Sequence, residues 1–419
     1  MNGIFTENEH GGLSLQQIRE SLAKSVENKS LKKVLLVPPD ITRLNSGAGL
    51  ITALYYDLLE GVHVDVLPAV GTHTIMTREE QISFFGEKIP AERFLVHNWR
   101  DGVTKIGEVP GDFINAVSDG IMDQTMDVEV SNYLLDPSYD LILSIGQVVP
   151  HEVVGMANYT KNIVIGCGGA RFINQSHMLG AFYGLERMMG RDHSPVRKVF
   201  DYAQEHYISK LPVEYVLTVT VTEDEKTDII GLYIGKGREG FTRAVELSQK
   251  YNINYVESPV KTCVVWLNER EFHSTWVGNK AIYRTRMAMA DGGHLIVLAP
   301  GVKMFGEDAE NDSLIRKFGY VGRENVLELC KTEPELQNNL SVAAHLIHGS
   351  SDGRFSVTYA TKQLRKDEVE GVAFGYIPLE EAMAKYDPRK LKTGLNTMPD
   401  GEEIFFVENP ALGLWGIRN

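Results

Sequence analysis

The stretch that decides the fold is residues 34–43, which read VLLVPPDITR. Four consecutive apolar residues, ended by two prolines, are typical of a strand buried on both faces of a parallel sheet. Asp40, Thr42 and Arg43 follow directly, and open α/β sheets bind ligands beyond the carboxyl ends of their strands. The stretch therefore predicts a buried strand leading into a ligand site, and the alternative is a Pro-Asp turn with a solvated arginine.

The rest of the chain alternates short apolar runs with longer amphipathic segments, which predicts an α/β fold. A polar stretch between two strand-like runs predicts a hairpin over 213–235. Strands are expected over 64–70, 141–145, 263–267, 295–299 and 404–407, and helices over 14–26, 48–59, 178–189, 195–205, 240–251 and 280–290.

The composition excludes several classes of function. The 419 residues, 43% hydrophobic and 23% charged, predict a globular chain of two or three domains. A net charge of −14 and the lack of a basic patch argue against a nucleic-acid partner. The sequence has no apolar run long enough for a membrane span and no signal peptide. Three widely spaced cysteines predict reduced thiols, so we expect a cytoplasmic protein.

Four basic residues are candidates for acid–base catalysis, cofactor attachment or metal binding. His73 and His151 each follow a predicted strand, a position suited to acid–base catalysis. Lys161 precedes the glycine-rich segment 166–169, which favours a cofactor-attachment lysine over a solvated one. His177 is a second possible metal ligand beside His151, but no HExxH spacing is present. Conventional zinc catalysis is therefore disfavoured.

A glycine-rich loop offers a rival interpretation. Residues 235–240, GKGREG, match the dinucleotide fingerprint as a string. The strand before them is predicted to be half of a hairpin rather than the first strand of a parallel unit, so a plain strand-to-helix turn is favoured.

Taken together, these segments resemble the nickel-pincer nucleotide-dependent lactate racemase family of 2-hydroxyacid racemases and epimerases. The matching pieces keep the family's order and separation, most firmly over about residues 34–190. They are Asp40-x-Thr42-Arg43, Gly71-Thr72-His73, Pro150-His151-Glu152-Val153-Val154-Gly155, Lys161 and His177.

The resemblance implies a function and a set of roles. Such an enzyme inverts carbon 2 of a 2-hydroxyacid by reversible hydride transfer to a nickel-pincer nucleotide, a pyridinium mononucleotide that holds nickel and is loaded by cofactor-biosynthesis enzymes. Lys161 would carry this cofactor covalently and His177 would ligate the nickel. The acid–base pair would be His73 and His151, Arg43 would bind the substrate carboxylate, and Asp40 and Thr42 would contact the cofactor.

Two departures from the family pattern bear on the substrate. Ala157-Asn158-Tyr159-Thr160 stands where many members have a Ser-Gly-Gly stretch. The family's C-terminal substrate-contacting Gln and Lys have no match here, and the nearest segment, 283–286, has arginines such as Arg284 instead. With Asn158, Tyr159 and Arg284 as substrate contacts, we expect a hydroxyacid larger or more polar than lactate. A sugar acid such as gluconate and a hydroxy-dicarboxylate both remain open.

The resemblance also implies the domain organisation. We expect a cofactor-binding catalytic domain over 1–260 plus about 405–419, and a smaller α/β domain over 261–404, with the active site in the cleft between them. A homo-oligomer is possible. The alternatives are an NAD-dependent hydroxyacid oxidoreductase using Gly235–Gly240, or a non-catalytic protein that binds an acidic metabolite.

Overall fold

The structure, a computed structural model, describes residues 3–223 and 226–418. Its strands are β1 (Ile4–Glu7), β2 (Lys33–Val37), β3 (His63–Val66), β4 (Val103–Val109), β5 (Met126–Ser131), β6 (Leu141–Gln147), β7 (Pro150–His151), β8 (Gly155–Met156), β9 (Val213–Glu223), β10 (Lys226–Gly235), β11 (Ile253–Val256), β12 (Val260–Trp266), β13 (Met289–Leu298), β14 (Phe355–Thr361), β15 (Gly375–Pro378), β16 (Gly394–Thr397), β17 (Glu403–Val407) and β18 (Leu414–Ile417).

The helices alternate with these strands, as expected for an α/β chain. They are α1 (Leu15–Val26), α2 (Ala48–Leu58), α3 (Arg78–Phe85), α4 (Gly111–Val117), α5 (Thr160–Val164), α6 (Ala170–Tyr183), α7 (Leu185–Met188), α8 (Pro195–His206), α9 (Arg238–Asn252), α10 (Thr275–Gly278), α11 (Lys280–Thr285), α12 (Ala309–Phe318), α13 (Arg323–Thr332), α14 (Pro334–Asn338), α15 (Leu340–His348), α16 (Lys366–Gly371) and α17 (Leu379–Lys385).

The contacts divide the chain into two compact units. The first unit contains residues 1–179 and 188–251, and the second contains 180–187 and 252–419. Helix α6 therefore begins in the first unit and ends in the second. Within the described residues, no helix combines the length and apolar character that crossing a bilayer requires.

The first unit is built on a six-stranded sheet of order β1-β10-β9-β6-β2-β3. Strands β3, β2, β6 and β9 are parallel neighbours, and β10 and β1 continue the sheet antiparallel. Val34, Leu35, Leu36 and Val37 are all fully buried. The apolar run thus forms a strand covered on both faces, as predicted.

The second unit has its own six-stranded sheet, of order β15-β14-β13-β12-β17-β16. Its neighbours are parallel except for β16, which pairs antiparallel with β17. Both units therefore combine sheets with helices, and the predicted α/β class is confirmed.

The grouping by contacts differs from the expected domain limits. It changes unit at residues 251–252, and residues 405–418 lie in the second unit rather than with the N-terminal domain. The reason is strand pairing, because β17 pairs with β12 and β18 pairs with β11.

Most predicted elements match within a few residues, but two helices differ. The range 178–189 contains the end of α6, which begins at Ala170, and the whole of α7, with Gly184 between them. The expected helix over 280–290 ends at Thr285, and β13 begins at Met289. The run Met287–Ala290 is apolar throughout, and such a run does not distinguish a buried helix from a buried strand. The predicted hairpin is formed by β9 and β10, and residues 224–225 of its tip lie outside the described residues.

A close helix contact in the first unit gives a stability prediction. A Cβ atom on Gly49 of α2 would lie 2.0 Å from the Phe84 carbonyl oxygen of α3. Alanine raises helix propensity by about 1 kcal/mol, but a backbone atom cannot move aside easily. We expect Gly49→Ala to lower the free energy of unfolding, measured with urea, by about 1–3 kcal/mol.

Gly237→Ala is the matched control in the same unit, since a Cβ atom there meets nothing within 4 Å. We expect it to change the free energy of unfolding by less than about 0.5 kcal/mol. Equal stability of the two variants would show that the α2–α3 contact is not tight.

Candidate active site

Three neighbouring strands deliver the candidate side chains to one edge of the sheet. Because β3, β2 and β6 are parallel and adjacent, their carboxyl ends meet at that edge. Asp40 and Arg43 follow β2, His73 follows β3, and His151 follows β6. The sheet therefore brings together loops that are far apart in sequence.

Asp40 connects two of these loops through hydrogen bonds. Its Oδ1 accepts hydrogen bonds from the backbone N–H of Thr42, at 3.0 Å, and from the Thr42 hydroxyl. Its Oδ2 lies 2.6 Å from Nδ1 of His73. Burial alone would raise the pKa of the Asp40 carboxyl, but the His73 and Thr42 hydrogen bonds and the Arg43 charge lower it. Asp40 is therefore a buried carboxylate.

The Asp40 contact orients the imidazole of His73. A carboxylate can only accept, so Nδ1 of His73 carries the proton it donates, and Nε2 is the nitrogen that can take up another. About half of the His73 side chain is exposed. His73 can therefore act as a general base whose ring is oriented by the Asp40 carboxylate.

Arg43 supplies an uncommitted positive charge beside this pair. Its guanidinium makes no hydrogen bond or ion pair with the residues that the structure describes, although its charge acts on Asp40 and Lys161. A planar guanidinium without a protein partner is well suited to a carboxylate ligand.

His151 is held differently from His73. It is only 6% exposed, and its Nδ1 accepts a hydrogen bond from the backbone N–H of Val153 at 3.1 Å. In this neutral form, the ring proton is on Nε2. Oε2 of Glu152 lies 3.8 Å from the same Nδ1, so a carboxylate is close by when the ring is protonated.

Lys161 lies in α5, close to the ends of β2 and β6. The amide of the next residue, Asn162, donates to the Val37 carbonyl at 2.9 Å and to the Ser144 hydroxyl at 3.0 Å. Burial lowers the pKa of Lys161 to about 8, and the charges of Arg43 and Arg197 act in the same direction. About a tenth of the amine is therefore neutral, and hence nucleophilic, at pH 7, far more than for an ordinary lysine.

His177 has the features of a single metal ligand. Its Nδ1 donates to the Ile173 carbonyl at 2.6 Å, which leaves the lone pair on Nε2. Burial lowers its pKa to about 4, so the ring is neutral at pH 7 and needs no deprotonation to bind a metal. The charges of Lys161, Glu152 and His73 all act on it, which places these groups in one neighbourhood.

Asn158 and Tyr159, in the turn before Lys161, were expected to contact the substrate, but both side chains are buried. Tyr159 is only 3% exposed, and its ring stacks on Phe241 with centroids 5.2 Å apart. Asn158 is 8% exposed, and its side-chain oxygen accepts from the Tyr159 N–H at 2.7 Å. Both side chains are mainly covered by protein, so they leave little surface for a substrate.

Two further residues are buried away from solvent. Arg284 lies in α11 of the second unit and is 6% exposed. In the first unit, His97 is 4% exposed, and its Nε2 donates to the Gly168 carbonyl at 3.0 Å. His97 therefore supports the glycine-rich segment that precedes α6.

The sequence analysis assigned no role to three residues at this site: Glu152, Asn162 and Arg197. Arg197 is fully buried in α8 and its Nη2 donates to the Met156 and Asn158 carbonyls at 2.7 and 3.2 Å. One available signal was helical spacing, because Arg197 lies three residues before Phe200 on the apolar face of α8. No sequence pattern marks Glu152 or Asn162 in this way, because their contacts arise only when distant segments come together in the fold.

The rival dinucleotide loop is not in a dinucleotide-binding context. Gly235 ends β10, which is antiparallel to both β9 and β1, whereas the fingerprint requires a parallel unit. The nearby cavity of about 550 Å³ contains the Lys29–Glu214 ion pair at 2.8 Å. The loop is a strand-to-helix turn, the favoured alternative.

Comparison with known proteins agrees with this geometry. Residues 13–188 match the family model of the lactate racemase N-terminal domain. This segment is therefore similar to a lactate racemase N-terminal domain. It contains Asp40, Arg43, His73, His151 and Lys161, together with His177.

Solved structures extend the likeness over the whole lactate racemase-like chain. A protein from Thermotoga maritima matches with a TM-score of 0.81 and 27% identity, over 99% of this chain and 100% of that one. The lactate racemase apoprotein from Thermoanaerobacterium thermosaccharolyticum has the same fold, with a TM-score of 0.70 and 16% identity, over 100% of this chain and 95% of that one. No curated protein sequence matches the chain.

The lowered pKa of Lys161 gives a pH prediction. An amine with a pKa of about 8 is half neutral at that pH, whereas an ordinary lysine, with a pKa of about 10.4, is protonated. We expect acetylation of Lys161 by acetic anhydride, followed by peptide mass spectrometry, to reach half its maximal rate near pH 8.

Arg43 variants provide the control. Removal of the positive charge in Arg43→Gln stabilises the protonated amine of Lys161, so the pH midpoint of acetylation should rise. Arg43→Lys keeps the charge and should leave that midpoint unchanged. A wild-type midpoint at about pH 10, the ordinary lysine value, would contradict the proposed environment of Lys161.

Proposed function

We propose that this lactate racemase-like protein inverts carbon 2 of a 2-hydroxyacid with the help of a nickel-pincer nucleotide. One observation carries the proposal: the charges of Lys161 and His73 both act on His177, in a segment that matches the lactate racemase N-terminal model. The pairing of His73 with Asp40 adds an oriented base to that group.

The residues fit a cofactor that brings most of its own metal ligands. Among residues 3–223 and 226–418, no group of three or more His, Cys, Asp or Glu could hold a metal ion. A single neutral imidazole, His177, is available through Nε2, and imidazole suits nickel. Lys161 offers an amine of lowered pKa for a covalent link to the nucleotide.

When bound, the nucleotide supplies an acceptor and donor for the C2 hydrogen and its electron pair. The protein has to manage the hydroxyl proton. Nε2 of His73 takes this proton, and Asp40 stabilises the imidazolium that results. The product of this half-reaction is a planar 2-oxoacid.

His151 supplies the proton that completes the inversion. As an imidazolium, it returns a proton to the substrate oxygen, and the Glu152 carboxylate stabilises its charge beforehand. The opposite enantiomer uses the two histidines in the reverse order. Two bases are needed because both enantiomers must direct the C2 hydrogen at the same cofactor, so their hydroxyl groups lie on opposite sides of the site.

Arg43 binds and orients the substrate. Its guanidinium has no protein partner among the described residues, so a substrate carboxylate can occupy both arms of the fork. The substrate we propose is larger or more polar than lactate, and it is a sugar acid such as gluconate or a hydroxy-dicarboxylate. Arg284 of the second unit stays a proposed substrate contact on the resemblance alone.

Loading tests the proposal directly. We expect co-expression with cofactor-biosynthesis enzymes to add several hundred daltons to the intact mass, mapped to Lys161, and the loaded protein should retain nickel. It should also invert a member of a panel of hydroxyacids and sugar acids in chiral analysis. Lys161→Arg should prevent the mass gain, and His177→Ala should lose nickel.

A known racemase loaded in the same host serves as the positive control. If that control carries the cofactor while Lys161 stays unmodified, covalent attachment is wrong. Cofactor-free binding of an acidic metabolite without turnover would favour a non-catalytic binding protein, and release of a ketoacid with free NAD would favour the oxidoreductase alternative.

Variants of the two histidines test the acid–base roles. His73→Ala and His151→Ala should each lower inversion by about 10²–10⁴-fold, the usual contribution of a general base, while cofactor and nickel are retained. Deuterium placed at carbon 2 should stay there, because a hydrogen that moves with its electron pair does not exchange with water.

His10→Ala is the matched control, since His10 is exposed, and it should leave inversion unchanged. Full activity of either site variant would remove that histidine from the mechanism. Extensive loss of deuterium to water would instead indicate proton abstraction at carbon 2.

A further inference from the structure

The turn that connects His151 to Lys161 has a strained backbone. Two consecutive residues other than glycine have positive φ angles, Asn158 at 66° and Tyr159 at 57°. Tyrosine rarely adopts this region, because its Cβ atom clashes with the backbone. Tyr159 is also the residue from which α5 starts, so this conformation fixes where Lys161 begins. Such a turn persists only if its surroundings hold it.

Residues 190–197 supply that support. The Gly190 N–H donates to the Gly155 carbonyl at 2.9 Å, and the Ser194 hydroxyl donates to the Val154 carbonyl at 3.0 Å. Nη2 of Arg197 donates to the Met156 carbonyl at 2.7 Å and to the Asn158 carbonyl at 3.2 Å. One guanidinium nitrogen thus bridges the strand next to His151 and the strained turn before Lys161.

A guanidinium at this position is unfavourable for fold stability unless its contacts compensate. Arg197 has no exposed surface, and its Nε and Nη1 have no hydrogen-bond partner among the described residues. Burying a cation with unsatisfied donors is unfavourable, and the negative charge of Asp201 offsets part of this cost. The guanidinium carbon lies 4.5 Å from the Phe241 ring centroid, a contact that compensates in part.

We propose that Arg197 is the positioning residue that holds the 155–159 turn and thereby sets the place of Lys161. This inference rests on the proposed function, because it concerns the lysine that would carry the cofactor. The two hydrogen bonds to carbonyls orient the turn, and the buried charge acts on the amine together with those of Arg43, Glu152 and Asp40.

Two substitutions separate hydrogen bonding from charge. Arg197→Met removes both the donors and the charge, and Arg197→Lys keeps the charge but replaces the planar fork with an ammonium group. Arg238→Met is the matched control: Arg238 lies in the same cluster, with its guanidinium carbon 5.5 Å from the Phe241 centroid, but it bonds to Asp192 and Asp201 instead of the turn.

Hydrogen exchange of the cofactor-free protein is the first measurement. We expect Arg197→Met to speed exchange of amides 156–162 by about tenfold or more, with the rest of the first unit little changed, since charged hydrogen bonds restrain this segment. Arg197→Lys should show a smaller increase, and Arg238→Met should show none in this segment. Acetylation of Lys161 should shift its pH midpoint upward in Arg197→Met and stay near the wild-type value in Arg197→Lys.

An increase in exchange spread evenly over the unit, or none in 156–162, would overturn the positioning role. If Arg197→Met does not fold, Arg197→Lys provides the test instead. Its exchange rate in amides 156–162, relative to the rest of the first unit, must rise above the wild-type ratio for the positioning role to hold. Both measurements use protein without cofactor, so they stand even if loading of Lys161 fails. Co-expression with cofactor-biosynthesis enzymes then asks whether Arg197→Met lowers the loaded fraction more than Arg238→Met does.

Discussion

Because β3, β2 and β6 run parallel as neighbours, every loop that leaves them starts at the same edge of the sheet. Asp40, His73 and His151 come together through this constraint, although they span more than one hundred residues of sequence. The Asn162 amide adds α5 to the same edge by bonding to Val37 and Ser144. Residues 34–37 of β2 are fully buried at the centre of this arrangement, and the anchor from α5 bonds to the last of them, Val37.

Burial at this edge determines the charge states of the basic groups. It leaves His177 neutral at pH 7 and makes Lys161 a weaker base than an ordinary lysine. Asp40 stays ionised despite its burial because His73 and Thr42 donate to it. The site therefore combines a neutral metal-type ligand, a nucleophilic amine and a fixed carboxylate within one part of the first unit.

Local patterns in the sequence predicted the elements well. The helix expected over 14–26 is α1, which begins at the Ser14 capping box, and the apolar run 34–37 is β2. The side chains after strand ends were also identified as candidate chemistry. The role of Tyr159 as a substrate contact stays a prediction, but its burial was not foreseen, because nothing in its neighbouring sequence shows that Phe241 and Tyr215 cover it. Arg197 was missed for the same reason, since its acceptors are carbonyls about forty residues away.

Arg43 has two electrostatic effects that operate at different stages of the proposed function. In the cofactor-free protein, its charge, which has no partner among the described residues, raises the neutral fraction of the Lys161 amine, and this would favour attachment of the proposed nucleotide. If Lys161 carries the proposed nucleotide covalently, its amine no longer titrates, and the same guanidinium would be available to a substrate carboxylate. A carboxylate bound too early would neutralise Arg43 and favour the protonated, unreactive amine. The electrostatics thus favour loading of the cofactor before binding of the substrate.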